Sequence, residues 1–314
     1  MRKRGAGGPA FWIIAAAGLI AGGAPALAHG SIQPTTAVWT AWELDPYVIV
    51  PLILAHWLYG RGVFRLWQRA GRAPAALSPF HMAMFLAGEM VLVIALLSPL
   101  EAIAGRLLSA HMAQHLLLMT LAPLLLLAGR PQIAFAWGLP RSWIEALALD
   151  SGWRVPRRIF QTAVRPFPAA LLHGLALWAW HAPAAYEAAL RSEALHALEH
   201  AMFLGTALLF WQSVVGFGSG RVVTATAAAM LATLITIIHS GFLGALLTFS
   251  PRPIYETYMT TVPLFGLSPL EDQQLAGILM WVPAGVVYLL AVIILAWRLI
   301  GEDSAAEKRV SLPG

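Results

Sequence analysis

Residues 109–128 read SAHMAQHLLLMTLAPLLLLA, from Ser109 to Ala128, without one charged side chain. A helix rises 1.5 Å per residue, so a run of about 20 apolar residues crosses the roughly 30 Å of hydrocarbon in a bilayer. A single segment satisfies its own backbone there only as a helix. Within this run stand His111 and His115, four residues apart and therefore stacked on one helix face. The stretch reads as a membrane-spanning helix that carries two imidazoles to one place.

The remainder of the chain agrees. Its 314 residues are 59% hydrophobic and 11% charged, with mean hydropathy +0.71, whereas a soluble domain carries about 25% charged residues. Apolar stretches recur at about 47–66, 80–98, 109–128, 167–182, 196–215, 223–249 and 274–297, which predicts an all-α integral membrane protein with a seven-transmembrane-helix bundle. The net charge of +5 does not imply nucleic acid, because the arginines sit in particular loops. The chain has no cysteine, which excludes disulfides, thiolate zinc sites and Cys-x-x-Cys chaperone chemistry. Any metal must use His, Met, carboxylate or backbone.

The N-terminus has the three parts of a secretory signal: basic Arg2-Lys3-Arg4, apolar Phe11 to Ala21, and the cleavage pattern Ala26-Leu27-Ala28. The expected organisation is a cleaved signal peptide over 1–28, a membrane domain over 29–300 and a cytoplasmic tail over 301–314; an uncleaved anchor helix is the alternative. Arg61, Arg65, Arg69 and Arg72 follow the first span, and Arg130, Arg141, Arg154, Arg157, Arg158 and Arg165 follow the third. Arg221 follows the fifth span, and Arg298, Lys308 and Arg309 follow the last. The opposite side holds only Arg106, Arg191 and Arg252. The asymmetry places the mature N-terminus outside and the C-terminus in the cytoplasm. The Ala-rich composition and signal type point to a bacterial inner membrane. The connection over 129–166, with Trp143 and Trp153 among its arginines, either lies against the anionic inner surface or only sets topology.

That orientation gathers the histidines. His111 and His115 open the third span, and a second pair, His196-Ala-Leu-Glu199-His200, opens the fifth. His181 ends the fourth span and His239 lies in the outer half of the sixth, so six histidines share the outer side. Imidazole suits copper, zinc and iron, and ionisable groups in spans are costly and tend to mark function. A purely structural role, each ring bonding a neighbouring carbonyl, is the competing reading. The two pairs form the expected ligand set, with His181 and His239 completing it or serving a second site.

Further candidates are Glu199 as an acceptor that orients an imidazole, Asp272 beside Glu271, Gln273 and Gln274 at the start of span seven, and the thioethers of Met112 and Met280, which suit Cu(I). Each has an ordinary alternative as helix cap or packing. Tyr255 and Tyr258 in the outer loop read equally as interfacial aromatics. His29, exposed by signal cleavage, would offer its amine and ring nitrogen to Cu(II) as a chelate. Mid-span Glu89 has His56 as a possible partner.

These residues resemble the seven-helix CtaG-like cytochrome c oxidase assembly factors. The resemblance is carried by His111-x-x-Gln114-His115, Trp180-His181-x-Pro183 with Tyr186, His196-x-x-Glu199-His200, His239, and Asp272-Gln273-x-x-Ala276-Gly277 with Met280-Trp281. It covers about Trp42 to Trp297. It implies a role in maturing a haem–copper oxidase by supplying copper, with oxidase subunits and the lipid bilayer as partners and no turnover of its own. An unrelated single-span copper chaperone of the same name uses cysteine, which this chain lacks.

Three other readings stay open on the residues alone. Two histidines on different helices can ligate haem axially. His196-x-x-Glu199-His200 fits the H-x-x-E-H pattern of inverted zinc proteases. Glu89, His56 and His173 could form an inward path of a copper transporter, though no inverted repeat supports it.

Overall fold

The computed structural model describes residues 38–149, 153–216 and 223–310. The signal peptide expected at 1–28, His29, and positions 311–314 of the expected tail lie outside the described residues. Among the described residues, proline begins seven helices: Pro46, Pro79, Pro99, Pro131, Pro166, Pro183 and Pro269. Its fixed φ suits the first helical turn, where the missing N–H has no intrahelical partner to lose.

Helix α1 (Pro46–Ala70) is capped by Asp45, whose carboxylate accepts the Tyr47 N–H at 2.7 Å, and it ends on Gly71 in the left-handed region at φ 68°. Helices α2 (Pro79–Leu96) and α3 (Pro99–Ala104) follow. Helix α4 (Leu108–Leu116) runs through a π-helical turn, Leu117–Leu121, into α5 (Ala122–Ala128). The connection expected at 129–166 is itself helical, as α6 (Pro131–Gly138), α7 (Arg141–Leu149) and α8 (Arg154–Ala163). Then come α9 (Pro166–His181), α10 (Pro183–Arg191), α11 (Glu193–Val215), α12 (Val223–Phe249) and α13 (Pro269–Val310).

Among the described residues, six helical segments are long and apolar enough to cross a membrane. The expected span not among them, the fourth, at 167–182, is α9. Its 16 residues reach about 24 Å, short of the roughly 30 Å hydrocarbon core. The reason is local. Pro183 disfavours a helical residue before it, and Ala182 is extended at φ −63°, ψ 129°, so the chain turns and restarts as α10.

Small residues let the helices approach closely. A Cβ on Gly62 of α1 would be driven into the Ala134 carbonyl of α6, and one on Gly277 of α13 into the Thr248 hydroxyl of α12. Two apolar cores result. One, around Phe203, Phe210 and Trp211, joins α4, α9, α11, α12 and α13. The other, around Tyr59, Phe85 and Phe135, joins α1, α2, α5 and α6. Large apolar side chains also cover the outside, with Ile238 71% and Phe249 77% exposed. In water such a surface would aggregate; facing lipid it is the expected exterior. The chain is a multi-pass helical membrane protein.

Candidate metal centre

The helix that carries His111 and His115 does not cap itself. Leu107 sits at its N-cap without a side-chain acceptor. Asp272 of α13 does this from 164 positions away, accepting Leu108 N–H at 2.7 Å, Ser109 N–H at 3.2 Å and the Ser109 hydroxyl at 2.5 Å. A carboxylate at a helix N-terminus is favoured by the exposed N–H groups and the helix dipole. The neighbouring Gln273 ties the loop before α13 to α12, accepting Ile254 N–H at 2.6 Å and donating to the Leu247 carbonyl at 3.2 Å. At the other end of the run, Pro123 has no N–H for the Met119 carbonyl four residues earlier. The Trp211 indole donates to that carbonyl at 2.8 Å and stitches α11 to the π turn. The two helices bearing the His pairs are thus fixed against each other.

Both pairs converge. Ring centroids lie 4.3 Å apart for His111–His115 and 4.2 Å for His196–His200 within the pairs. Between them, His111–His196 is 5.4 Å and His115–His200 is 5.7 Å. One nitrogen from each of His111, His115 and His200 lies within 4.8 Å of the others, and His111, His196 and Glu199 form a second such set. The two sets share His111. His111 is 0% exposed, His115 1% and Glu199 0%.

Their ligand atoms lack ordinary partners. His111 Nε2, both His115 nitrogens, His200 Nε2 and both Glu199 oxygens are buried without a hydrogen bond; His115 Nε2 stands 3.6 Å from Glu199 Oε1. A buried polar atom left unpartnered costs about 1–3 kcal/mol, and native structures seldom leave several together. Convergent lone pairs of this kind suit a d-block cation.

The surrounding groups fix the rings for that task. The Tyr258 hydroxyl donates to the Ala104 carbonyl at 3.1 Å and lies 2.8 Å from the Tyr186 hydroxyl and 3.4 Å from His111 Nδ1. Having spent its one hydrogen on a carbonyl, Tyr258 accepts from both neighbours. His111 therefore carries its proton on Nδ1 and turns the Nε2 lone pair inward, an arrangement typical of metal-binding histidines. Burial raises the hydroxyls of Tyr255 and Tyr258, both in the loop before α13, above the usual phenol range, so both stay protonated. Glu101 supports the second pair: it accepts from the Gln114 amide and stands 3.6 Å from His196 Nδ1.

The other candidates fall in different places. His181 is adjacent, its ring 5.8 Å from His115, and it contacts Met112. Glu199 lies within the cluster, whereas the Asp272 carboxylate is taken up in capping α4. His239 does not join the group; it packs over Gly174, where a Cβ would meet its ring at 3.1 Å. Met280 lines a small cavity with Met112, Met119 and His173. Glu89 meets its expected partner, His56 Nδ1, at 2.8 Å, linking α1 to α2. Tyr255 and Tyr258 are buried site groups, not interfacial decoration, and Tyr255 donates to the His181 carbonyl at 2.8 Å. Sequence reading missed Glu101. It stands in Ser98-Pro99-Leu100-Glu101, where an acid in a first helical turn looks like ordinary dipole compensation.

A groove of about 710 Å³ between α1, α2, α8 and α11 leads to the cluster, with His196 and His200 on its wall and Glu43, Asp45 and Glu101 beside them. Its lining is otherwise mostly apolar.

The family model for the cytochrome c oxidase caa3 assembly factor matches residues 57–302, a range that includes every described residue of the cluster. No curated protein and no solved structure matches the chain. The chain belongs to the cytochrome c oxidase caa3 assembly factor family.

Proposed function

We propose that this member of the cytochrome c oxidase caa3 assembly factor family binds copper at His111, His115, His196 and His200 and delivers it to the oxidase. The observation that carries this is the set of buried, unpartnered lone pairs on His111, His115 and His200, with ligand atoms within 4.8 Å of one another. Neutral imidazoles hold copper without the near-irreversible grip of thiolates, which suits a site that must release its ion by ligand exchange. The groove beside His196 and His200 gives a client subunit a route to the ligands.

The full reading is a seven-span protein of a bacterial inner membrane, with α9 and the start of α10 together making the short fourth crossing. Its signal peptide is cleaved and its mature N-terminus faces the periplasm. The arginine asymmetry and the N-terminal pattern support this orientation. In it the cluster lies on the periplasmic side, where the soluble copper centre of an oxidase faces. The protein handles the ion and turns over no substrate.

The test is complementation in a deletion strain with the His111→Ala/His115→Ala/His200→Ala variant. With the variant present in the membrane at the wild-type level, oxidase activity and oxidase copper content are expected to fall to those of the deletion strain. Full oxidase assembly by the variant would contradict the proposal.

A further inference from the structure

His181 and Met112 stand beside the three-histidine set and are not part of it. His181 is 4% exposed and Met112 1%. His181 Nδ1 lies 2.8 Å from the Leu177 carbonyl, and Nε2 lies 3.4 Å from Met112 Sδ. A carbonyl oxygen only accepts, and a neutral imidazole has one N–H. The short contact to Leu177 therefore places the hydrogen on Nδ1. Nε2 then presents a lone pair, and so does the thioether sulfur facing it. Two buried lone-pair donors in contact, with no hydrogen between them, call for a shared electron-pair acceptor.

The geometry points to a second copper site, selective for Cu(I), held by His181 Nε2 and Met112 Sδ. Nitrogen and sulfur donors at about 2.0 and about 2.3 Å from one small d-block ion are about 3.5 Å apart at a tetrahedral angle; the 3.4 Å here suits two adjacent corners of such a site, with the other corners left to exchangeable ligands. Thioether is a soft donor and selects Cu(I) over harder divalent ions. Met112, though not His181, also borders a cavity of about 10 Å³ whose wall includes Met119 and Met280, about the space of one water-sized sphere. The His181 ring is 5.8 Å from that of His115, close enough for an ion to pass between the two sites by exchanging one ligand at a time. The transfer is ligand substitution only, and copper stays Cu(I) throughout. This inference rests on the proposed function in taking copper as the ion, but it uses ligands separate from the three-histidine set.

The full-length protein would be loaded with Cu(I) under anaerobic, reducing conditions and studied by copper K-edge X-ray absorption together with copper stoichiometry. Three forms are compared: wild type, Met112→Leu, and His111→Ala/His115→Ala/His200→Ala. Met112→Leu conserves volume and apolarity, so it leaves the bundle folded. The expected result is a sulfur scatterer in wild type, lost in Met112→Leu together with one equivalent of copper, while nitrogen-ligated copper remains. The triple variant should keep the sulfur-ligated copper. Nitrogen-only ligation in loaded wild type would overturn the inference, as would unchanged sulfur scattering and stoichiometry in Met112→Leu. Sulfur-ligated copper that depends on Met112, with no copper dependent on the three histidines, would support this site while removing the proposed one.

Discussion

Replacing Asp272 by Ala separates a cap from a ligand. Asp272 is 0% exposed, and its carboxylate serves Leu108 N–H, Ser109 N–H and the Ser109 hydroxyl. Alanine leaves all three donors buried without an acceptor. Each such donor costs about 1–3 kcal/mol, and loss of a helix N-cap alone costs about 0.5–2 kcal/mol. These terms overlap, so the expected destabilisation is about 3 kcal/mol. For a domain of this size that is a fall in thermal midpoint of about 6–12 °C. Asp272→Asn keeps one acceptor oxygen and should fall by about half as much. The assay is thermal unfolding of the purified protein in detergent, with copper content measured on the same samples at low temperature. The reasoning predicts a lowered midpoint and copper retained while the protein is folded. Copper lost at an unchanged midpoint would make Asp272 a ligand and refute the capping account.

Gly62→Ala would push a methyl group into the Ala134 backbone, whereas Gly60 one helical position pair earlier has nothing within 4 Å. The first should lower the thermal midpoint by the equivalent of about 1–3 kcal/mol and Gly60→Ala should not, so equal effects would contradict the α1–α6 crossing. Trp211→Phe removes the donor to the Met119 carbonyl and should cost about 1–3 kcal/mol in thermal or denaturant unfolding; an unchanged midpoint would show that the π turn does not need it. Tyr258→Phe removes the hydroxyl that holds the His111 tautomer and should weaken copper binding about 10–100-fold, read by competition with a Cu(I) chelator. Unaltered affinity would mean that Tyr258 does not orient the ring.

Much of the bundle was legible in the sequence because lipid imposes a simple rule: long apolar runs without charge become helices. The run 109–128 corresponds to Leu108–Ala128 and the run at 196–215 to Glu193–Val215. The spacing of His111 with His115, and of His196 with His200, also carried over into stacked rings, since helical periodicity alone fixes it. What local pattern could not reveal was tertiary. The cap of α4 comes from Asp272, across most of the chain. The partner that relieves Pro123 is an indole on another helix. Glu101 approaches His196 at 3.6 Å from a distant part of the chain, a contact no local pattern encodes. His239 shares an expected depth with the cluster, yet depth says nothing of the direction a helix face takes, and its ring turns toward Gly174. The end of α9 was readable in Ala182-Pro183, and the span expected at 167–182 matches Pro166–His181 closely.

The most direct measurement is the metal and haem content of the purified full-length protein beside His111→Ala/His115→Ala/His196→Ala/His200→Ala. The account predicts copper in wild type, a loss of the histidine-dependent copper in the variant, and no Soret band in either. Haem that disappears with the four histidines, or copper content unchanged by removing them, would contradict it.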